Sequence, residues 1–386
     1  MAQMTVKRVG VIGGGQLAWM MAKAAQRLGF DLIIQTPQKD DPAVSIATEV
    51  IFAHINDRAA TIELAARCDV ITFENEFIDL EVLKPLEEKG VYFCPSLGVL
   101  TPLLDKYQQK SYLQRIGLPV PKFTTLENLS SIDFSFPIVL KVRRHGYDGQ
   151  GTFIVKTSEE LETTAKNLEG TGVMVEEFVP FERELAVMAA RSVTGEVAVY
   201  PLVETYQPDQ VCRWVLVSGD ISTEIQTEVK QIAINLLTQL EVVGIFGIEL
   251  FLTPQSQVLV NEIAPRTHNS GHYTIDACEI SQFEMQLRAL SGLPLGSTEL
   301  NCVGAVMVNL LGYEYSRQDY LEKRQKLSKI SNSYVHWYGK INVRPGRKIG
   351  HVTVLLEETE MTLSPKTQQQ QLLEIAQQVE SIWYGS

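Results

Sequence analysis

The sequence predicts an α/β protein of two or three domains that begins with a parallel β-sheet. The chain has 386 residues, and a domain commonly holds about 100–200 residues. Short apolar strands at Arg8–Ile12, Phe30–Gln35 and Val70–Phe73 alternate with helical patterns, an order typical of parallel sheets. Hydrophobic residues make up 45% of the chain and charged residues 21%. This composition supports a sizeable core and excludes a disordered chain, a collagen and a small disulfide scaffold.

The charge balance and the cysteine content argue against several classes of protein. The 34 basic and 46 acidic residues give a formal net charge of −12. The overall field therefore repels nucleic acids and anionic membranes, and an anionic ligand needs a local basic pocket. The five cysteines are widely spaced and lack a C-x-x-C pair, which argues against a disulfide framework or a structural zinc site. Without a signal-peptide pattern or a run of about 18 apolar residues, we expect a soluble cytoplasmic protein.

Local patterns predict the first helix and the first domain boundary. Apolar residues recur at helical spacing from Leu17 to Leu28, and Gly29 stands where a C-cap glycine belongs. A fourth strand is predicted at Val91–Cys94. The turn-forming residues of 95–102 follow it, so we expect a domain to end there.

Later segments alternate in the same way. The predicted elements are a helix at Asp105–Ile116, a strand at Ile138–Val142, a strand at Val173–Val179 and a helix at Thr223–Leu240. A last change of composition occurs near Gly292 and Pro294.

The glycine loop after the first strand matches the dinucleotide fingerprint. Gly13-x-Gly15-x-x-Ala18 lies between a strand and a helix, where free N–H groups favour an anion. The fingerprint also needs an acid at the end of the second strand, and this chain has Gln35 there. NAD binding is therefore disfavoured. The loop either contacts another phosphate or only makes a tight turn.

Two glutamates are predicted to face each other across a β-hairpin. If Pro254 pairs with Gln257 at the turn, continuing the register places Glu249 opposite Glu262. Directly opposed Cβ atoms lie about 4.5–5.5 Å apart. Two carboxylates among apolar neighbours call for a cation or a raised pKa, and their oxygens suit Mg²⁺ with substrate phosphates. The alternative is a pair of exposed glutamates, and a one-residue bulge would shift the register.

A lysine and a glycine loop follow the predicted strand at Ile138–Val142. Lys141 precedes two arginines and a run with three glycines from 146 to 151. Such a loop can bring its backbone close to a ligand, so the segment suits a triphosphate, although it is not a Walker A motif. An ordinary hairpin turn is the alternative.

The segment Glu176–Val179 is either an edge strand or a linker that offers backbone groups to an adenine.

A basic run lies near the C-terminus. A stretch without acids contains Lys340, Arg344, Arg347 and Lys348, which indicates a local anion site or a solvated basic face.

His268 and His272 are four residues apart, but the nearby proline and glycine disfavour a helix and therefore a zinc site.

Several ordered motifs carry a resemblance to a known family. They are Gly13–Leu17, Arg143–Gly151, Glu176–Pro180, Arg183–Leu185, Asn261–His272, Tyr338–Lys340 and Arg344–His351. The chain resembles the ATP-grasp family and, within it, the enzymes that carboxylate 5-aminoimidazole ribonucleotide in purine biosynthesis. The resemblance implies a mixed α/β and α+β architecture. Its parts are a Rossmann-like pre-ATP-grasp domain (1–101), an ATP-grasp domain (102–296, with a lid at about 122–180) and a small C-terminal domain (297–386).

The resemblance also implies a reaction and its cofactors. ATP and bicarbonate would form carboxyphosphate, and the amine of the ribonucleotide would then be carboxylated, with Mg²⁺, as two ions, bound beside the nucleotide. A homodimer is implied. The alternatives are another ATP-grasp ligase, such as formate-dependent glycinamide ribonucleotide transformylase, an NAD oxidoreductase, and a non-catalytic nucleotide-binding regulator.

Site residues are implied by position in the motifs. The ATP-binding residues would be Lys106, Lys141, Gly146, Tyr147, Asp148, Gly149, Gln150, Gly151, Thr152, Glu176, Glu177, Phe178, Val179, Glu184, Gln207, Asn261 and Glu262. Glu249 and Glu262 would carry the metal. The ribonucleotide would contact Gln16, Glu76, Tyr147, Arg183, Ser270, Lys340 and Arg347. The catalytic residues would be Arg266, His268, Asn269 and Asp148, with Asp148 or His268 taking the proton of the amine.

Three positions depart from the usual family pattern. Ala18 and Trp19 replace a glycine and an arginine, and Gln207 replaces a histidine. The acidic motif Thr72–Phe77 is reordered, which leaves open whether Glu74 or Glu76 meets the substrate.

Overall fold

The structure is a computed structural model that describes residues 6–127, 134–144, 146, 151–218, 220–356 and 364–385. The strands are β1 (Arg8–Ile12), β2 (Asp31–Thr36), β3 (Glu49–Phe52), β4 (Val70–Phe73), β5 (Phe123–Thr125), β6 (Ile138–Val142), β7 (Thr152–Val155), β8 (Val173–Glu177), β9 (Arg183–Arg191), β10 (Val197–Val199), β11 (Val203–Tyr206), β12 (Trp214–Val217), β13 (Gly244–Leu252), β14 (Val258–Ala264), β15 (Ala305–Leu311), β16 (Ser333–Trp337) and β17 (Lys348–Leu355). They form three sheets.

The helices cover the faces of these sheets. They are α1 (Gln16–Leu28), α2 (Arg58–Arg67), α3 (Leu80–Glu87), α4 (Leu97–Leu103), α5 (Lys106–Arg115), α6 (Ser158–Asn167), α7 (Thr223–Gln239), α8 (Thr274–Ala277), α9 (Gln282–Ser291), α10 (Leu321–Leu327) and α11 (Pro365–Glu380). Among the residues described, none of these helices is long and apolar enough to cross a membrane.

The first sheet is parallel and has the order β3-β2-β1-β4. The helix after its first strand is confirmed, and Gly29 ends it with a left-handed φ of 73°. Ala18 is fully buried, while Trp19 packs edge-on against Tyr338 with 6.1 Å between ring centroids. The two departures in this helix therefore pack it against the C-terminal part of the chain.

The fourth strand of this sheet is not where the sequence analysis placed it. Val91–Cys94 forms only an isolated bridge, between Phe93 and Ile71. The missing strand is Glu49–Phe52, which pairs in parallel with β2. Its four residues are too few to show a pattern, and only Ile51 is buried. The prediction was wrong because a short edge strand is defined by its neighbour and not by its own apolar residues.

The second sheet is antiparallel, with the order β5-β8-β6-β7. The predicted strand at Ile138–Val142 is confirmed. The strand predicted at Val173–Val179 stops at Glu177, and residues 178–182 connect it to β9 of the third sheet. A small core inside this sheet consists of Ile138, Leu140, Val155, Val173 and Val175.

The third sheet has nine strands, and most of its neighbours are antiparallel. Its main path runs β14-β13-β9-β11-β12-β15-β17-β16, and β10 pairs with β9. The predicted helix from Thr223 is confirmed and packs on this sheet. Because β12 pairs with β15 along four residues, the C-terminal strands continue the sheet of the central part. This continuity brings the basic run near β17 toward the carboxylates of β13 and β14.

Candidate active site

One cleft of about 1020 Å³ lies where the three sheets meet. Ligand pockets commonly have about 300–1,000 Å³, so this cleft has room for a nucleotide and a second small molecule. The predicted site residues that line it are Gln16, Glu76, Lys106, Lys141, Gly146, Thr152, Glu176, Glu177, Phe178, Val179, Glu184, Gln207, Glu249, Asn261, Glu262, Arg266, His268, Asn269, Ser270, Lys340 and Arg347.

Part of the predicted glycine loop falls outside the described residues. These positions are Tyr147, Asp148, Gly149 and Gln150. Gly151 is described, and it closes the turn between β6 and β7 because its carbonyl accepts a hydrogen bond from Val142 N at 2.8 Å. It takes a positive φ of 83°, and a Cβ there would lie 3.1 Å from Val142. Gly151 is therefore a turn residue that does not line the cleft.

The predicted carboxylate pair is confirmed, but its hairpin closes differently. Glu249 lies directly opposite Glu262. The closing pair predicted between Pro254 and Gln257 is wrong by one residue, because Thr253 N donates to Gln257 O at 3.0 Å. A proline has no N–H to offer such a pair.

A bulge between the turn and the carboxylate pair shifts the strand pairing by one residue, so that Glu249 faces Glu262. Leu250 pairs with Val260 while Glu249 pairs with Glu262, so Asn261 has no partner across the strands. Consecutive strand residues normally point to opposite faces, but a bulge allows both Asn261 and Glu262 to line the cleft. The bulge therefore adds an amide to the carboxylate pair.

Burial and the surrounding charges shift the pKa values of the two carboxylates in opposite directions. Burial, and then the charge of Glu262, raise the pKa of Glu249 to about 7. Burial also disfavours the charge of Glu262, but Lys106 and Lys141 lower its pKa overall, and Lys106 Nζ contacts Glu262 Oε1. His268 Nε2 lies 3.6 Å from Glu249 Oε1. A pair in which one acid resists ionisation is suited to a divalent cation, so Glu249 and Glu262 fit a magnesium site.

Beside the carboxylates, two lysines share one buried glutamate. Glu176 Oε1 lies 2.9 Å from Lys110 Nζ, and Glu176 Oε2 lies 2.5 Å from Lys141 Nζ. Lys141 Nζ also donates to Asn261 Oδ1 at 2.9 Å. The side chain of Glu176 therefore compensates the charge of both lysines, while its backbone lies in β8 between β5 and β6. The sequence analysis missed Lys110, although it follows Lys106 by one helical turn.

The two glutamates of the acidic motif after β4, Glu74 and Glu76, have different partners. Glu74 is buried and accepts hydrogen bonds from Gly15 N at 2.8 Å and Leu17 N at 3.2 Å. Its carboxylate occupies the anion site at the start of α1, and a Cβ on Gly15 would clash with it. Glu76 Oε2 instead meets Arg266 Nε at 2.9 Å inside the cleft. The glycine loop is therefore built around an internal carboxylate.

The segment after β14 is held by reciprocal side-chain bonds. Asn269 and Asn309 exchange amide hydrogen bonds of 2.9 and 2.8 Å, and Asn309 is fully buried. His268 Nδ1 lies 2.9 Å from Ser270 Oγ. In contrast, His272 is fully buried and bonds Gln282 through Nδ1 at 3.0 Å. The two histidines therefore lie in different environments.

The basic run lies at the other end of the same cleft. Lys340, Arg344, Arg347 and Lys348 all line it. Lys340 Nζ donates to Gln16 Oε1 at 2.5 Å and to the carbonyl of Lys348 at 2.8 Å. These contacts tie the C-terminal part to the start of α1 and create a local exception to the acidic surface.

The predicted substrate residue Arg183 is paired with two acidic side chains. Its guanidinium lies 3.4 Å from Glu204 Oε2 and 3.1 Å from Asp220 Oδ2, and it does not line the cleft. Neighbouring residues of a strand face opposite sides of a sheet. The neighbour of Arg183, Glu184, lines the cleft. Burial, followed by the charge of Glu249, raises the pKa of Glu184 to about 7.

Three family matches cover the chain in order. Residues 6–101 match the ribonucleotide synthetase preATP-grasp domain, residues 111–283 the ATP-grasp domain, and residues 305–364 the phosphoribosylaminoimidazole carboxylase C-terminal domain. A relative from Synechocystis, an N5-carboxyaminoimidazole ribonucleotide synthase, is 52% identical over 97% of this chain and 98% of its own length.

Solved structures of such enzymes share the fold. The ADP complex of an N5-carboxyaminoimidazole ribonucleotide synthetase has a TM-score of 0.89 at 34% identity, covering 100% of this chain and 99% of that one. The Aspergillus clavatus enzyme in complex with ADP and 5-aminoimidazole ribonucleotide has a TM-score of 0.86 at 30% identity, covering 97% and 99%. The chain therefore belongs to the N5-carboxyaminoimidazole ribonucleotide synthase family of ATP-grasp enzymes.

Proposed function

We infer that the protein is an ATP-dependent carbon–nitrogen ligase that carboxylates the exocyclic amine of 5-aminoimidazole ribonucleotide in purine biosynthesis. One observation carries this inference at the site. A single cleft joins the Glu249–Glu262 pair, which suits a metal–nucleotide complex, to the basic end around Lys340, which suits a small phosphate ester. The identity of 52% to a named synthase supports the same activity.

In this proposal the residues at the nucleotide end of the cleft bind different parts of ATP and its metal. Lys106 and Lys141 contact the ATP phosphates, and the segment Glu176–Val179, at the end of β8, lines the adenine. Glu184 binds the ribose, and Gln207 lies beside it in the cleft. Glu249 and Glu262 would hold Mg²⁺, as two ions, which would supply neutralisation of the phosphate charge. Gly146, Gly151 and Thr152 flank the loop that covers the phosphates, which includes Tyr147, Gly149 and Gln150.

The basic end holds the second substrate. Lys340 and Arg347 anchor the phosphate of the ribonucleotide, with Gln16 fixed by Lys340. Glu76 and Ser270 face the rest of the molecule, and the pairing of Glu76 with Arg266 supports this choice of glutamate. Gly15 N already donates a hydrogen bond to the Glu74 carboxylate. We therefore place the phosphate of the ribonucleotide on the basic side chains and not on the glycine loop.

The chemistry follows from placing the two ends together. A bicarbonate oxygen attacks the γ-phosphorus, the bond from phosphorus to the ADP oxygen breaks, and carboxyphosphate forms. It splits to CO₂ and phosphate, and the amine attacks the CO₂ carbon. Arg266 and Asn269 hold the anions, and His268 takes the proton of the amine, with Asp148 as the alternative. Positioning and charge neutralisation supply most of the catalysis, and a closed cleft keeps water from the intermediate.

Three further features belong to the proposal. The units are a pre-ATP-grasp domain at 1–101, an ATP-grasp domain at 102–296 with a lid at about 122–180, and a C-terminal domain at 297–386. The protein acts in the cytoplasm, which the five free cysteines support. It works as a homodimer, as the family resemblance implies.

The reaction is tested by measuring ADP release with each pair of substrates. We expect ADP release to need aminoimidazole ribonucleotide and bicarbonate together. Stimulation by glycinamide ribonucleotide and formate instead would favour the transformylase alternative and contradict the proposal.

A further inference from the structure

A buried row of alternating charges lies behind the nucleotide end of the cleft. Lys110, Glu176 and Lys141 are 1%, 2% and 8% exposed. Glu176 contacts both ammonium groups, one through each carboxylate oxygen. Of the three, Glu176 and Lys141 line the cleft, while Lys110 lies behind them. Lys110 therefore does not line the cleft, and its direct contact with a residue of the cleft is with Glu176.

The helix that carries Lys110 is fixed to the edge of the large sheet. Lys110 Nζ also donates to Val260 O at 2.8 Å. Gln109, its neighbour, donates to Ile263 O at 3.0 Å and accepts from Ile263 N at 2.9 Å. These bonds satisfy backbone groups of β14 on both sides of the Asn261 bulge and cover an edge strand. The position of Lys110 is thus set independently of any ligand.

The charges of the row decide what Lys141 can offer to a phosphate. Two ammonium groups and one carboxylate leave a single positive charge. Burial, only partly offset by Glu176, lowers the pKa of Lys110 to about 8, and the contact of its Nζ with the Glu176 carboxylate at 2.9 Å favours the charged ammonium. Without Lys110, the buried carboxylate would have Lys141 as its one ammonium contact, and the pair would be neutral toward an anion.

We propose that Lys110 is a positioning residue for nucleotide binding, which takes up the charge of Glu176 and leaves the charge of Lys141 for the ATP phosphates. The inference rests on the proposed function, because it takes Lys141 to contact ATP. Its consequence is specific. Removing Lys110 weakens binding of a phosphate-bearing nucleotide, and removing the charge of Glu176 at the same time restores it.

Calorimetric titration of MgADP into Lys110→Met and into the double variant Lys110→Met/Glu176→Gln tests this. We expect the single variant to bind on the order of tenfold more weakly, as for loss of a charge-assisted hydrogen bond. The double variant should return to within about twofold of the unaltered protein. Both variants lack the bond to Val260, so the difference between them isolates the charge. Lys230→Met, on the exposed face of α7, serves as the lysine control.

The outcomes separate this inference from the proposed function. Equal binding by Lys110→Met and the unaltered protein, or weak binding by both variants, would overturn the positioning role. Lys110→Gln, which keeps a donor for Val260, replaces the methionine variant if that one does not fold. In steady-state assays the KM for ATP should rise in Lys110→Met while the KM for the ribonucleotide stays unchanged. Absence of MgADP binding by the unaltered protein would contradict the proposed function itself.

Discussion

Glu249 and Glu262 lie directly opposite each other on β13 and β14, although the turn that joins these strands is one residue out of that register. The bulge at Asn261 corrects the difference. The pair therefore depends on the hairpin and the bulge together, and it presents two carboxylates with different proton affinities to one cleft. Four predictions follow from this geometry and from the contacts around it.

Removing one carboxylate of the pair should abolish metal-dependent turnover. Glu262→Gln keeps the size of the side chain but removes a charge that would bind Mg²⁺. We expect kcat to fall at least about a hundredfold, comparable to the loss of one transition-state contact. Glu228→Gln, on the exposed side of α7, is the matched control. Unchanged Mg²⁺-dependent turnover in Glu262→Gln would refute the metal assignment.

The affinity for Mg²⁺ should depend on pH near neutrality. Burial and Glu262 raise the pKa of Glu249 to about 7, and a carboxyl must lose its proton to bind a metal. The apparent affinity should therefore fall as pH drops below about 7, approaching about tenfold per pH unit. The measurement is the Mg²⁺ activation constant between pH 6 and 8. Glu249→Gln should show weak activation without this pH dependence, and a persistent slope would point to another group.

The glycine loop should not tolerate a side chain at Gly15. A Cβ there would clash with the Glu74 carboxylate, which is bound to Gly15 N. We expect Gly15→Ala to lower the free energy of unfolding by about 1–3 kcal/mol through overpacking. Gly98→Ala is the control, because Gly98 lies in α4 with open space around its Cβ position. That change should be neutral or stabilising, and equal effects of both would contradict the role of Glu74.

Stability should decrease in mild acid because of buried neutral histidines. Burial, followed by the nearby His336, lowers the pKa of His351 well below 6.5. The unfolded chain takes up a proton below about pH 6.5 that the folded chain refuses. The free energy of unfolding should therefore fall with pH below 6.5, by up to about 1.4 kcal/mol per pH unit for each such group.

Urea unfolding at pH 7, 6 and 5 checks this expectation. His351→Asn retains a polar atom near Tyr338, whose hydroxyl lies 2.8 Å from His351 Nδ1, but it cannot titrate. Its stability should decline less steeply with acid than that of the unaltered protein. His54→Asn, at an exposed position, should leave the slope as it was. Identical slopes in all three proteins would assign the acid sensitivity to other groups.

The sequence by itself determined the features that depend on neighbours along the chain. The strand at Ile138–Val142, the helix from Thr223 and the C-cap at Gly29 follow from local apolar spacing and backbone preference. The facing of Glu249 and Glu262 was predicted from a closing pair that is one residue out of register, and only the bulge at Asn261 restores it. The basic run near Lys340 was visible as a stretch without acids.

Only the tertiary structure decided the contacts made by residues far apart in the chain. Lys110 on α5 contacts Glu176 on β8. Arg266 pairs with Glu76, while Glu74 accepts hydrogen bonds at the start of α1. Local patterns carry no information on which distant charge compensates a buried one. The choice follows from the free energy of burying charges, since each buried group must find an opposite charge or a hydrogen-bond partner once the sheets have packed.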